Sequence, residues 1–216
     1  MKYKAVIFDL DGTLTYTLED LWASTNYALR RMRLPERTLD EVRMFVGNGV
    51  GNLIRKAMGS AATEEAFGQC LAVFREHYVR HCFDRTRLYD GVGDLLIELQ
   101  RRGVRIAIAS NKLQAGVDEI YRRWFTETVD IAIGEREGLR RKPAPDMVDE
   151  VIRRWGIPKD ECLYVGDSDV DLATARNSGL RCVSVLWGFR GEADLLAAGA
   201  TDLIKAPSEL LRFFGS

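Results

Sequence analysis

Four short apolar runs in this chain each give way to a polar cluster, and helix-length segments lie between them. Ala5-Val6-Ile7-Phe8 runs straight into Asp9-Leu10-Asp11-Gly12-Thr13, and Val104 to Ala109 into Ser110-Asn111. Val129 to Ile133 is followed by Lys142-Pro143, and Cys162 to Val165 by Gly166-Asp167-Ser168-Asp169-Val170-Asp171. Continuous apolar runs of this length are strands buried on both faces. The intervening patterns predict helices over Gly91 to Arg102, Leu113 to Phe125, Asp146 to Trp155 (capped by its acid) and Val170 to Ser178. A strand over Cys182 to Leu186, a weak one at Leu203-Ile204 and a short helix opened by Pro207-Ser208 complete the series. Strands alternating with helices of about ten residues give an α/β fold, a doubly wound parallel sheet with a Rossmann-like core. In such sheets functional groups gather beyond the carboxyl ends of the strands, where all four polar clusters fall.

Residues 16 to 84 break the rhythm. Thr17-Leu18-Glu19-Asp20 and Thr38-Leu39-Asp40-Glu41 both have capping-box spacing, and apolar residues recur at helical intervals. The segment therefore reads as a small α-helical cap inserted after the first strand, with the core formed by residues 1 to 15 and 85 to 216. Leaving the chain just after Asp9, it is placed to act as a lid. Its Gly47-Asn48-Gly49-Val50-Gly51 segment follows no strand, which argues against a dinucleotide fingerprint. Either it is a turn between two helices, or it brings backbone N–H groups to a substrate. Arg43, one helical turn earlier, is either a charge for a substrate carboxylate or half of a surface salt bridge. His77 and His81 have the i, i+4 spacing of a metal pair but no Glu between them, and read as exposed helix histidines. The four tryptophans are scattered and read as packing residues.

Composition removes several classes of partner. Lys and Arg number 31 against 32 Asp and Glu, so no net field recruits nucleic acid or anionic membrane. No run approaches the roughly 18 apolar residues of a membrane span. The apolar start is too short for a signal peptide, and the four cysteines show no Cys-x-x-Cys spacing; a cytoplasmic, disulfide-free protein is expected.

The polar clusters together describe phosphoryl transfer. Asp9 is the candidate nucleophile, because a carboxylate can attack phosphorus and the aspartyl-phosphate can then be hydrolysed. Asp11 is placed to protonate the leaving oxygen and later to deprotonate water. Ser110 and Asn111 can donate hydrogen bonds to phosphate oxygens. Lys142 would neutralise charge on the transferring group, unless it belongs to a solvated basic run with Arg140 and Arg141. Magnesium takes one or two carboxylates, for which Asp167 and Asp9 are the candidates, while Asp171 would orient water or Lys142. Asp169 reads as a helix-capping acid only.

In order and spacing these motifs resemble the haloacid dehalogenase-like hydrolase superfamily, over essentially the whole chain, and within it the phosphoglycolate phosphatase group. The resemblance implies nucleophile Asp9 and acid/base Asp11, with phosphate contacts from Thr13, Ser110, Asn111 and Lys142. It also implies Mg2+ on Asp9, the Asp11 backbone carbonyl and Asp167. Val46-Gly47-Asn48-Gly49-Val50 resembles that group's cap loop, which assigns Asn48 and Gly49 to a small phosphomonoester, 2-phosphoglycolate foremost. One departure is Tyr16, where the family often carries an acid. Rival readings on the same core are a sugar-phosphate phosphatase, a phosphomutase and a pyrophosphatase. A dehalogenase is disfavoured by Asp11. A calcium-binding loop at Asp167 fails because Leu172 and Ser178 stand where Gly and Glu are needed, and a silent phosphate sensor is disfavoured because no motif residue is missing. Monomer and dimer are both open at this stage.

Overall fold

The structure, a computed structural model, describes residues 3–215. Its chain divides into two compact units, Thr15–Arg87 and the remainder, Met1–Leu14 with Leu88–Ser216. The larger unit begins with β1 (Ala5–Phe8), whose four side chains are all buried. An apolar strand with no solvent face can only be central, since leaving one face of such residues wet would forfeit about 1.5–3 kcal/mol per side chain.

The smaller unit follows with β2 (Thr15–Tyr16), α1 (Leu18–Arg31), α2 (Leu39–Phe45), α3 (Gly49–Met58), α4 (Glu64–His81) and β3 (Arg87–Leu88), which pairs with β2. Of the two expected capping boxes, that of Thr38 and Glu41 forms and starts α2. That of Thr17 does not. Thr17 precedes α1 without a side-chain cap bond, because the Asp20 carboxylate accepts instead from Arg85 N at 3.0 Å, Thr86 N at 2.9 Å and Thr86 Oγ1 at 2.8 Å. Three donors from a distant segment outcompete one local N–H. His77 and His81 also differ from expectation: their rings stack at 4.2 Å, His77 Nδ1 meets Ser24 Oγ at 3.0 Å, and His81 Nδ1 meets Asp84 at 2.8 Å. Arg43 pairs with Asp40 on α2.

The larger unit resumes with α5 (Val92–Arg101), β4 (Arg105–Leu113), α6 (Gln114–Trp124), β5 (Ile131–Glu135), α7 (Asp146–Trp155), β6 (Cys162–Gly166), α8 (Asp169–Ser178), β7 (Arg181–Val185), α9 (Glu192–Ala197) and β8 (Leu203–Ile204). The closing segment Pro207–Phe213 is 3₁₀ rather than α-helical. The six sheet strands run β5-β4-β1-β6-β7-β8, every described pair parallel. Ala5, Ile7, Ala107, Ala109 and Tyr164 pack under Met147, Val148 and Val151 of α7 and Ala175 of α8. Val6, Phe8, Ile106 and Ile108, of the opposite parity, are buried as well, so both faces are covered. After β1 the sheet grows toward β4 and β5, and after β6 toward β7 and β8. The reversal lies between β1 and β6, and Asp9 and Asp167 follow those two strands.

Three local departures from expectation bear on the site. Helix α7 starts at Asp146, but the residue before it is Pro145 and the Asp146 carboxylate binds Arg140 instead of capping. Strand β5 lies two residues later than the apolar run suggested. Strand β4 does not stop at Ala109: its register against β5 slips between Ala109 and Leu113, so Ser110, Asn111 and Lys112 form a bulge inside the strand. Gly134 on β5 leaves the room this requires, since a Cβ there would lie 2.7 Å from the Lys112 carbonyl oxygen. Bulges re-aim side chains, and this one carries the polar residues of the second cluster. No helix among the described residues is long and apolar enough to cross a membrane.

Candidate active site

Asp9, Lys142, Asp167 and Asp171 converge beyond β1 and β6. Lys142 Nζ donates to Asp9 Oδ1 at 2.6 Å, to Asp171 Oδ1 at 2.8 Å and to the Tyr164 hydroxyl at 3.1 Å. Its side chain is 2% exposed, whereas Arg140 and Arg141 turn outward to Asp146 and Glu135. The basic-run alternative for Lys142 therefore fails. The Asn111 side chain fixes the lysine's backbone: Oδ1 accepts from Lys142 N at 2.8 Å and Nδ2 donates to Lys142 O at 3.0 Å. The Asn111 amide thus clamps the loop that delivers Lys142.

Asp171 organises the opposite side. Its Oδ1 also accepts from Tyr164 OH at 3.0 Å, and its Oδ2 accepts from Ser168 Oγ at 2.6 Å and from the Ser168 and Asp167 backbone N–H groups. Ser168 and Asp171 make the capping box of α8, so one carboxylate both starts the helix and holds Lys142. The open alternatives for Asp171 thus resolve toward Lys142. Asp169 is the exposed acid of that turn and pairs with Arg190 at 3.7 Å. Asp167 Oδ2 accepts from Phe189 N at 2.6 Å, and Thr13 Oγ1 lies 3.5 Å from Asp167 Oδ1. Thr13 itself is buried, and its carbonyl accepts from Trp187 Nε1 at 3.0 Å.

The cluster fits only because side chains are missing around it. A Cβ on Gly166 would lie 2.3 Å from Asp171 Cγ, and one on Gly188 2.2 Å from Asp167 Cβ. Gly12 has φ +98° and a Cβ there would meet Asp167 Oδ2 at 2.4 Å, so it serves both turn and space.

Two buried carboxylates share one ammonium and a third, Asp167, lies beside them, and the electrostatics follow. Burial, with the charges of Asp171 and Asp167, lifts the Asp9 carboxyl well above the ordinary range against the pull of Lys142. Burial and Asp171 push Asp167 up to about 7. Burial opposes the Lys142 charge, but Asp171 and Asp9 outweigh it and raise its pKa. Oxygens of Asp9, Asp167 and Asp171 all lie within 4.8 Å of one another, a set suited to a hard cation. A divalent ion would relieve this excess of negative charge, so the residues fit one. Asp171, whose two oxygens already accept five hydrogen bonds, is the least available of the three.

Asp11 stands apart from this cluster: its carboxylate pairs with Lys112 Nζ at 3.2 and 3.3 Å. Ser110, 2% exposed, accepts from Lys112 N through its hydroxyl oxygen at 3.2 Å. Asn48 and Gly49 lie in the smaller unit at the start of α3, with Gly47 and Gly49 at φ +123° and +77°. Sequence reasoning missed Tyr164, Lys112 and Phe189. A tyrosine inside an aliphatic buried strand was the available signal for the first, because a buried hydroxyl needs a partner.

The haloacid dehalogenase-like hydrolase family matches residues 6–185. Phosphoglycolate phosphatase 1 of Pseudomonas aeruginosa is 32% identical over 96% of this chain and 78% of its own length. The phosphoglycolate phosphatase of Xanthomonas campestris pv. campestris is also 32% identical, over 96% and 94%. Among solved structures, a phosphoglycolate phosphatase candidate from Lactobacillus delbrueckii subsp. bulgaricus superposes with a TM-score of 0.93 at 35% identity, covering 99% of both chains. The chain belongs to the haloacid dehalogenase-like hydrolases. Within them it is a phosphatase of the phosphoglycolate phosphatase group.

Proposed function

We propose that the chain is a magnesium-dependent phosphomonoesterase that hydrolyses a small acidic phosphate ester, 2-phosphoglycolate foremost, through an aspartyl-phosphate on Asp9. The observation that carries this reading is the Asp9 carboxylate held by Lys142 at 2.6 Å beside two further buried carboxylates. With Oδ1 fixed by the ammonium, Asp9 keeps one orientation and its other oxygen is the attacking atom. Phosphorus gains the bond to Asp9 and loses the bond to the ester oxygen, which takes a proton from Asp11. Water then attacks the same phosphorus, gives its proton to Asp11 and returns Asp9 as carboxylate. Lys142 compensates charge on the phosphoryl oxygens, and Thr13 and Ser110 donate hydroxyl hydrogen bonds to them. A divalent ion on Asp9, the Asp11 carbonyl and Asp167 would supply electrostatic stabilisation of the phosphoryl group.

The substrate assignment draws on the phosphoglycolate phosphatases among the relatives, and the roles of Asn48 and Gly49 in substrate contact on sequence resemblance alone. Turnover of 2-phosphoglycolate should exceed that of sugar phosphates, nucleotides and pyrophosphate in kcat/KM. It should vanish on chelation, return with Mg2+ and be abolished by Asp9→Asn. Chelation-resistant turnover, or an active Asp9→Asn protein, would defeat the mechanism, and a preference for hexose phosphates would defeat the substrate.

A further inference from the structure

We propose that Lys112 is a positioning residue for the acid/base step, holding the Asp11 carboxylate in place through a braced ion pair. The inference rests on the reading of Asp11 as acid/base given above. Lysine at a strand end ordinarily reaches for water, with its charge solvated and its stem mobile. Lys112 does not: its side chain is 6% exposed and Nζ straddles Asp11 Oδ1 and Oδ2 at 3.2 and 3.3 Å.

Two features of the fold force this path. The bulge at Ser110, Asn111 and Lys112 redirects the side chain, and Ser110 Oγ accepts from the Lys112 backbone N–H to fix the bulged peptide. Helix α6 then offers Gly116 beneath the stem; a Cβ there would approach Lys112 Cε to 3.2 Å and Cδ and Cγ to 3.4 Å. Gly116 lies inside a helix, where glycine is disfavoured, so its value is the trough it leaves for the lysine. Asp11 has two side-chain torsions and sits just before the Gly12 turn. A carboxylate that must serve two successive proton transfers at one place benefits from a partner that holds both of its oxygens.

The test is a double-mutant cycle on Asp11→Asn, Lys112→Met and the pair, with phenyl phosphate and Mg2+. Phenyl phosphate is chosen because its leaving oxygen needs a proton whatever the natural substrate is. Lys112→Met keeps the stem and removes the charge; it should lower kcat about tenfold to a hundredfold and leave KM within about twofold. Asp11→Asn should lose about a hundredfold to ten-thousandfold. The pair should be no slower than Asp11→Asn alone, because a residue acting through Asp11 has nothing left to position. Gly116→Ala, which fills the trough and leaves every charge in place, should reduce kcat in the parent but not in the Asp11→Asn background. It keeps the test open should Lys112→Met fold poorly. Additive losses, or a raised KM with unchanged kcat, would overturn the inference and put Lys112 on the substrate. An Asp11→Asn protein of undiminished kcat would remove the reading of Asp11 itself, and with it this one.

Discussion

Two lysines leave the carboxyl side of this sheet and end on carboxylates, yet their surroundings are opposite. Lys142 sits wholly out of water between Asp9, Asp171 and the Tyr164 hydroxyl. Lys112 meets a carboxylate that water still reaches, since the Asp11 side chain is 16% exposed. What matters energetically is less the attraction lost on removing a lysine than the charge left behind. Around Lys142 that charge is stranded; beside Lys112 solvent can take over.

That contrast predicts a graded series in urea unfolding of the metal-free protein. Lys142→Met should be the most damaging, by about 3–5 kcal/mol, because Asp9 and Asp171 remain buried without their shared cation. A smaller loss of about 1–2 kcal/mol is expected for Tyr164→Phe, which removes one hydroxyl and leaves both ion pairs standing. Should Tyr164→Phe cost as much as Lys142→Met, the phenol rather than the ammonium would be the keystone of that corner. Lys112→Met should cost about 1 kcal/mol or less, since water solvates Asp11 in its place. Equal losses for the two lysine variants would erase the distinction between the corners.

The alternation of buried strands and helices was readable because fully buried strands leave no polar positions to confuse the pattern, as in Ala5-Val6-Ile7-Phe8. Asp9, Lys142, Asp167 and Asp171 were readable for a related reason: each breaks an apolar or stiff local context beyond a strand. Interactions decided at long range were not. Nothing near Thr17 announces that Thr86 competes for Asp20, whereas at Asp146 the competitor for the α7 cap is close by, the Arg140 guanidinium six residues upstream. The apolar run alone ends β4 at Ala109, because the bulge places polar residues where a straight strand would bury apolar ones. Asn111 has the chemistry to meet phosphate, and only the fold reveals that its amide is matched to the backbone of a residue 31 positions away.

Gly166 and Gly188 adopt ordinary backbone conformations, so volume alone explains the lack of a side chain there. In the vocabulary of natural variation, these are silent guardians. A single methyl at Gly188 would evict the Asp167 carboxylate while every acid, base and hydroxyl of the chain stayed in its place in the sequence. A homologue could therefore keep every reactive letter and still be inert, disarmed by one added carbon at a position that performs no chemistry.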